Sequence, residues 1–217
     1  SFLTVDLSSF YLDFAKDVVY IEAENDYQRR CMQTVFYQTL VSLTKLLTPI
    51  IPHTAEEIWS FLQEEEYVQL AEFPGYETFT NEEELMDTWA AFMDFRDNVL
   101  KALEEARHSK LIGKSLEAKV TVYPNEQIRQ LMTAVDADIA QLLIVSDFEV
   151  SKEVAPSEAV QFEDMAILVE KAEGETCDRC RSVRQDVGSD EKLPTLCGRC
   201  AHIVEENYPE AVAEGFE

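Results

Sequence analysis

Four cysteines near the end of the chain carry the clearest chemistry. Cys177-Asp178-Arg179-Cys180 and Cys197-Gly198-Arg199-Cys200 are two Cys-x-x-Cys knuckles with sixteen residues between them. A knuckle turns two thiolates toward one point, and two knuckles complete a tetrahedron that suits Zn2+. Four thiolates fill the coordination sphere and leave no position for water or substrate, so the expected ion is a single structural zinc. Two disulfides are the competing reading, but they belong to oxidising compartments and this chain reads as cytosolic. Iron also accepts four cysteines, and nothing in the sequence favours it. His202 follows the last cysteine and is a substitute ligand that four thiolates make unnecessary. So small a segment holds little core of its own. Metal binding would therefore supply most of its folding free energy, about 10–16 kcal/mol in zinc-finger peptides at neutral pH. Cys31 stands apart from the four and is expected to be a small buried side chain.

The charge around these cysteines differs from the rest. The chain carries 43 acidic and 18 basic residues, a net charge of −25. Nucleic-acid binding gains much of its affinity from Lys and Arg displacing counterions at phosphates. A chain this acidic will not bind polyanions indiscriminately, so any RNA contact must rest on local basic patches or on another part of the protein. Between Cys177 and His202 lie Arg179, Arg181, Arg184, Lys192 and Arg199 against Asp178, Asp186, Asp190 and Glu191. Arginines on a rigid knuckle are placed to meet phosphate; equally, they pair with the acids beside them.

The elements that must position the knuckles follow from periodicity. Asp6 is the expected N-cap of a first helix with Leu7, Phe10, Tyr11, Phe14 and Val18 on one face. A second helix turns Met32, Val35, Phe36, Leu40, Leu43 and Leu47 inward and stops at Pro49 and Pro52. Thr54-Ala55-Glu56-Glu57 reads as a capping box opening a short helix with Ile58, Trp59 and Leu62. Asn81, followed by three glutamates, opens the longest helix, with Leu85, Trp89, Phe92, Val99 and Leu103 inward. Aromatics at this spacing belong to a core rather than to a platform for stacking bases. From Gly113 the period changes: Leu116, Ala118, Val120 and Val122 alternate with polar residues as in a strand. A helix over 126–142 and strands around 148–152, 160–163 and 166–171 complete a small α+β domain. The expected class is mainly α: a helical bundle over 1–112, an α+β domain over 113–173 and a four-cysteine zinc domain over 174–217.

The 46% hydrophobic and 10% aromatic content is that of a folded protein. No stretch approaches the roughly 18 apolar residues of a membrane span. The first residues lack the layout of a signal peptide and there is no initiator Met, so the chain reads as an excised fragment of a cytoplasmic protein.

Three stretches resemble one family. The run from Asp6 to Asp17, DLSSFYLDFAKD, is similar to the entry into the helical anticodon-binding domain of isoleucyl-tRNA synthetases. LTPIIPHTAEEIW, Leu47 to Trp59, resembles a second segment of that domain. Val99-Leu100-Lys101-Ala102-Leu103-Glu104, continued by Ile112-Gly113-Lys114-Ser115-Leu116-Glu117-Ala118, is a third match. The cysteine pattern is similar to the finger that these enzymes share with formamidopyrimidine-DNA glycosylases. The first two matches are partly shared with valyl- and leucyl-tRNA synthetases; the third, with the finger, points to the isoleucine enzymes. The pattern departs at Arg181, where many relatives carry an aromatic, so a grip on RNA by that aromatic is absent or passes to the arginine.

The resemblance implies an anticodon-reading part that holds tRNA(Ile) while its parent enzyme charges the tRNA with isoleucine. The Rossmann catalytic domain is missing: His53, His108 and His202 stand in no His-x-Gly-His arrangement, and no Lys-Met-Ser-Lys-Ser loop appears. ATP and isoleucine are therefore expected only in that absent domain; the editing domain, which hydrolyses mischarged valine, is expected to be absent too. Expected tRNA contacts are Arg29, Arg30, Lys110, Lys114, Arg179, Arg181 and Arg199; Arg29 and Arg30 equally balance Glu22, Glu24 and Asp26. The resemblance implies a monomer with no membrane and no DNA partner. The rival reading is an acidic, zinc-stapled helical adaptor that binds protein. A DNA-binding finger of the glycosylase kind is less expected still, since that enzyme needs an N-terminal proline nucleophile and this chain begins with Ser1.

Overall fold

A computed structural model of the chain describes every residue except 63–66, 77 and 215–217. In chain order the helices are α1 (Leu12–Ile21), α2 (Tyr27–Leu47), α3 (Pro52–Phe61), α4 (Glu82–His108), α5 (Glu126–Ala134), α6 (Ile139–Leu143), α7 (Gly198–Asn207) and α8 (Pro209–Glu214). The strands are β1 (Ala118–Pro124), β2 (Asp147–Val150), β3 (Val160–Gln161), β4 (Met165–Lys171), β5 (Glu175–Thr176) and β6 (Val183–Arg184). The chain is thus mainly helical with a small mixed sheet and a cysteine cluster, the expected class. It divides into two compact units: residues 1–21 with 81–217, and residues 22–80. The last three residues of the 174–217 segment lie outside the described ones.

In the larger unit, Leu3–Tyr11 winds as a π-helix that runs straight into α1. The Ser1 carbonyl already accepts from Thr4 N at 3.0 Å and Val5 N at 2.8 Å, so helical winding begins before Asp6. Asp6 therefore lies inside a helix and caps nothing, contrary to expectation. Phe14, Ala15, Val18 and Ile21 form the buried stripe of α1. On α4 the buried stripe is Phe92, Phe95, Val99, Ala102, Leu103 and Ala106, while Leu85, expected inside, is exposed. Rings join these elements: Phe10 lies 6.4 Å from Phe92, and Phe95 meets Phe148 of β2 edge-on at 6.3 Å.

The sheet has the order β2-β1-β4-β3, with β1 parallel to β2 and antiparallel to β4. Val120 faces Val169 and Val122 faces Ile167 across the β1–β4 ladder. The helix expected over 126–142 is two helices, because the carboxylates between them favour caps over helix interiors. Asn125 Oδ1 accepts from Ile128 N at 3.0 Å to start α5. Asp138 Oδ1 accepts from Gln141 N at 3.2 Å to start α6.

The smaller unit departs further from its periodicity. Asp26 caps α2 by accepting from Arg29 N at 2.9 Å. Along α2, Val35 and Leu40 are 42% and 41% exposed and Cys31 is exposed too, all three expected inside. Among the described residues, the core cluster of this unit is Ala55, Trp59 and Val68 with Val41, Leu62 and Ala71 against it, so one narrow stripe of α2 is covered. The capping box does not form at Thr54. Pro52 takes the first helical position of α3 instead, where its fixed φ and missing N–H suit the start of a helix. Glu56, a turn further on, accepts from Val68 N at 3.1 Å.

These burial patterns separate by substitution. Phe92→Ala is expected to lower stability to urea by about 3–5 kcal/mol, whereas Val35→Ala shifts it by less than about 0.5 kcal/mol. Comparable losses at both positions would contradict the packing.

Candidate metal centre and nucleic-acid interface

The first knuckle is the turn of the β5–β6 hairpin. Cys177 N donates to Ser182 O and Arg181 N to Cys177 O, both at 2.9 Å, and Arg181 takes φ 66 to close the turn. Gly174 holds φ +118 beside the facing strand, and a Cβ there would meet the Arg184 carbonyl oxygen at 2.2 Å, so the hairpin admits only glycine. The second knuckle is the start of α7, with Cys197 at the N-cap and Cys200 in the first turn, where the helix dipole favours thiolate.

All four cysteines are buried, and their Sγ atoms lie within 4.8 Å of one another. A tetrahedral site with Zn–S near 2.3 Å sets sulfur atoms about 3.8 Å apart; Cys180 and Cys197 Sγ are 3.9 Å apart. Cys197 N also donates to Cys177 Sγ at 3.3 Å. The thiols do not ionise alike. The hydrogen bond from Cys200 pulls Cys180 down to about 4. The same contact, with burial, pushes Cys200 up, and burial raises Cys197. One thiolate forms readily and then opposes the others, a conflict that a divalent cation resolves. Donor type, spacing and burial fit one structural Zn2+ bound by Cys177, Cys180, Cys197 and Cys200, which would supply folding free energy and no open coordination position.

The finger is fastened to the rest of its unit in three ways. Ile21, at the end of α1, packs into the finger core with Leu193, Leu196, Ala201 and Val204. Arg199 grips Asp17 with two bonds, Nη1 to Oδ2 at 2.9 Å and Nη2 to Oδ1 at 2.8 Å. Gln141 Nε2 of α6 donates to the same carboxylate at 3.2 Å. Finally, the buried Ser146 hydroxyl accepts from Val183 N at 2.7 Å and donates to Leu116 O at 2.5 Å. Burial works against the Asp17 charge more than any other single influence. The hydrogen bond and charge of Arg199, joined by Gln141, nonetheless outweigh it and hold the carboxyl below its ordinary value.

Beside the finger, α1 and α6 leave a cleft of about 400 Å³. Its walls include Tyr20, Arg179, Arg181, Arg184 and Arg199, and they carry five basic against three acidic residues. In a chain of net charge −25 this is a local inversion of sign. The three finger arginines expected at RNA are thus brought together, though differently engaged. Arg199 is held by Asp17, Arg179 Nη1 donates to Cys200 Sγ at 3.9 Å, and the exposed Arg181 pairs with Asp178 at 3.3 Å. Lys110 and Lys114 are exposed around the Gly113 turn, where Gly113 N donates to Glu117 at 2.8 Å. Arg29 and Arg30 lie in the smaller unit, donating to Glu24 O at 2.8 Å and Asn25 Oδ1 at 3.3 Å. Sequence reasoning missed Asp17, Tyr20, Gln141 and Ser146 as parts of this region, since none belongs to a local pattern.

Residues 1–122 match the family described as the anticodon-binding domain of tRNA ligase, and residues 174–203 match the zinc finger found in FPG and IleRS. The whole chain is similar to the isoleucine–tRNA ligase of Enterococcus faecalis, with 99% identity over 24% of that protein. The isoleucine–tRNA ligases of Latilactobacillus sakei and Streptococcus sanguinis are 63% and 60% identical, again over 100% of this chain and 24% of theirs. The chain therefore spans about a quarter of the length of these relatives. Among the described residues no helix is long and apolar enough to cross a membrane.

Metal analysis is expected to give one zinc per chain, lost in Cys197→Ser and released on acidification, because protons compete for the thiolates. Zinc retained by Cys197→Ser would refute the four-thiolate site. A carboxyl held below its ordinary value stabilises the fold above the ordinary carboxylate range and loses that contribution as pH falls through it. The stability gap between wild type and Asp17→Asn, read by urea unfolding, should therefore shrink from about pH 6 toward about pH 3. A constant gap would refute the depressed carboxyl.

Proposed function

We propose that this chain, which belongs to the family of the anticodon-binding domain of tRNA ligase, is the tRNA-reading part of an isoleucine–tRNA ligase. The names of its relatives and the match at both ends of the chain support this reading. Charging the tRNA with isoleucine, and binding ATP and isoleucine, fall to parts of the parent enzyme outside these residues. The parent is taken as a cytoplasmic monomer. Within the chain, 1–112 serves as the anticodon-binding bundle, 113–173 as the α+β domain and 174–217 as the zinc domain that presents its arginines to RNA.

The observation that carries the reading is the concentration of arginine at the finger cleft of an otherwise acidic chain. Phosphate contacts set the position of a bound RNA, while splayed single-stranded bases carry its sequence information. Arg181 and Arg184 are suited to phosphate, and the exposed ring of Tyr20 to the face of a base. Lys110, Lys114, Arg29 and Arg30 are assigned supporting contacts with the backbone of the stem. Structural zinc keeps the finger arginines in place and takes no part in chemistry.

Titration with tRNA(Ile) and a non-cognate tRNA at several salt concentrations tests this. Preference for the cognate tRNA, weakening with salt, is expected. Arg181→Ala should flatten the logarithmic salt dependence by about 0.7–0.9, one phosphate contact. Absence of preference, both in the chain and in the full-length enzyme carrying it, would favour a protein-binding adaptor, the reading that the net charge of −25 suggests.

A further inference from the structure

We infer that Asp17 is the positioning residue that couples the metal centre to the first helix, so that zinc bound near the end of the chain orders a segment near its start. Arg199 lies between two expected ligands, Cys197 and Cys200, and its backbone is therefore set by the metal. Its guanidinium reaches Asp17, 182 residues away in sequence, through two parallel hydrogen bonds. One helical turn further along the same face of α1, Ile21 plugs the finger core. A charged clamp and an apolar peg thus fasten one face of α1 to one small domain.

Exposed ion pairs contribute little, but this one is bidentate, about one-third exposed on each side, and shared with Gln141 of a third element. Without zinc, a segment this small has little to hold its knuckles. Arg199 then loses its fixed backbone, Ile21 loses its socket, and the Asp17 carboxylate keeps only the Gln141 amide beside a partly buried position. The end of α1 loosens as a result. Coupling is reciprocal: whatever zinc contributes to the order of α1, α1 contributes to the affinity for zinc. Tyr20, between the clamp and the peg, forms a wall of the cleft. Resting on the function proposed above, the same coupling makes RNA affinity depend on zinc through Asp17.

Hydrogen exchange and the rate of zinc transfer to a chelator read this coupling without RNA. In the wild type, chelation should deprotect the amides of residues 12–21 while those of β1 and α4 stay protected. Asp17→Asn should still bind one zinc per chain but release it faster, within the roughly 5–150-fold range of coupled sites. The double reversal Asp17→Arg with Arg199→Asp should restore slow release. An α1 equally protected with and without zinc, or wild-type release from Asp17→Asn, would overturn the inference. Loss of RNA binding by Asp17→Asn, zinc still bound, would extend the coupling to the cleft, and unchanged binding would overturn that extension. A wild type that releases zinc slowly and orders α1 with it, but binds no tRNA, would strike the proposed function and leave the coupling standing.

Discussion

Four thiols packed within 4.8 Å in a dry interior form an arrangement that protein groups alone do not satisfy. The first to ionise opposes the rest, and burial raises Cys197 and Cys200. A divalent cation at the centre would turn that conflict into attraction. The hairpin turn at Cys177, the start of α7 at Cys197 and the positions of Arg179 and Arg199 are all set by it. The larger unit closes on the finger through Asp17, Ile21 and Ser146. The sheet and the first helix are thus built against a domain whose own core amounts to a few side chains and an ion.

The charge follows a similar division between whole and part. A chain with 43 acidic residues repels polyanions at a distance. At the cleft the sign is reversed over a volume of about 400 Å³, small enough for one or two nucleotide units rather than a duplex. In the function proposed above, such an arrangement would favour binding where geometry discriminates, with selectivity gained at the expense of raw affinity.

What was legible in the sequence was local. The Cys-x-x-Cys spacing, the alternation from Ala118 to Val122 and the inward positions Phe92, Val99 and Leu103 each depend on neighbours a few residues away, and each is found in place. Cap positions were less secure because several residues compete for them. Pro52 pre-empted Thr54, Phe2 stands at the N-cap where Asp6 was expected, and Asp138 opened a helix where one continuous helix was expected. The outward turn of Val35, Leu40 and Cys31 depends on how much partner surface α2 meets, which periodicity does not contain. The Asp17–Arg199 pair was invisible for the same reason. On its own helix Asp17 is one more acid in an acidic chain, and only the fold supplies the cation.

The hydroxyl of Ser146 is a junction with one atom at its centre. It receives a hydrogen bond from the finger and passes one to Leu116, in the turn just ahead of β1, in a position only 3% exposed. Alanine would take away the acceptor of the Val183 amide and the donor to the Leu116 carbonyl together. The finger and the turn ahead of β1 are therefore joined at this point by one hydroxyl, although nothing reactive happens there. Residue 146 matters for a purely architectural reason.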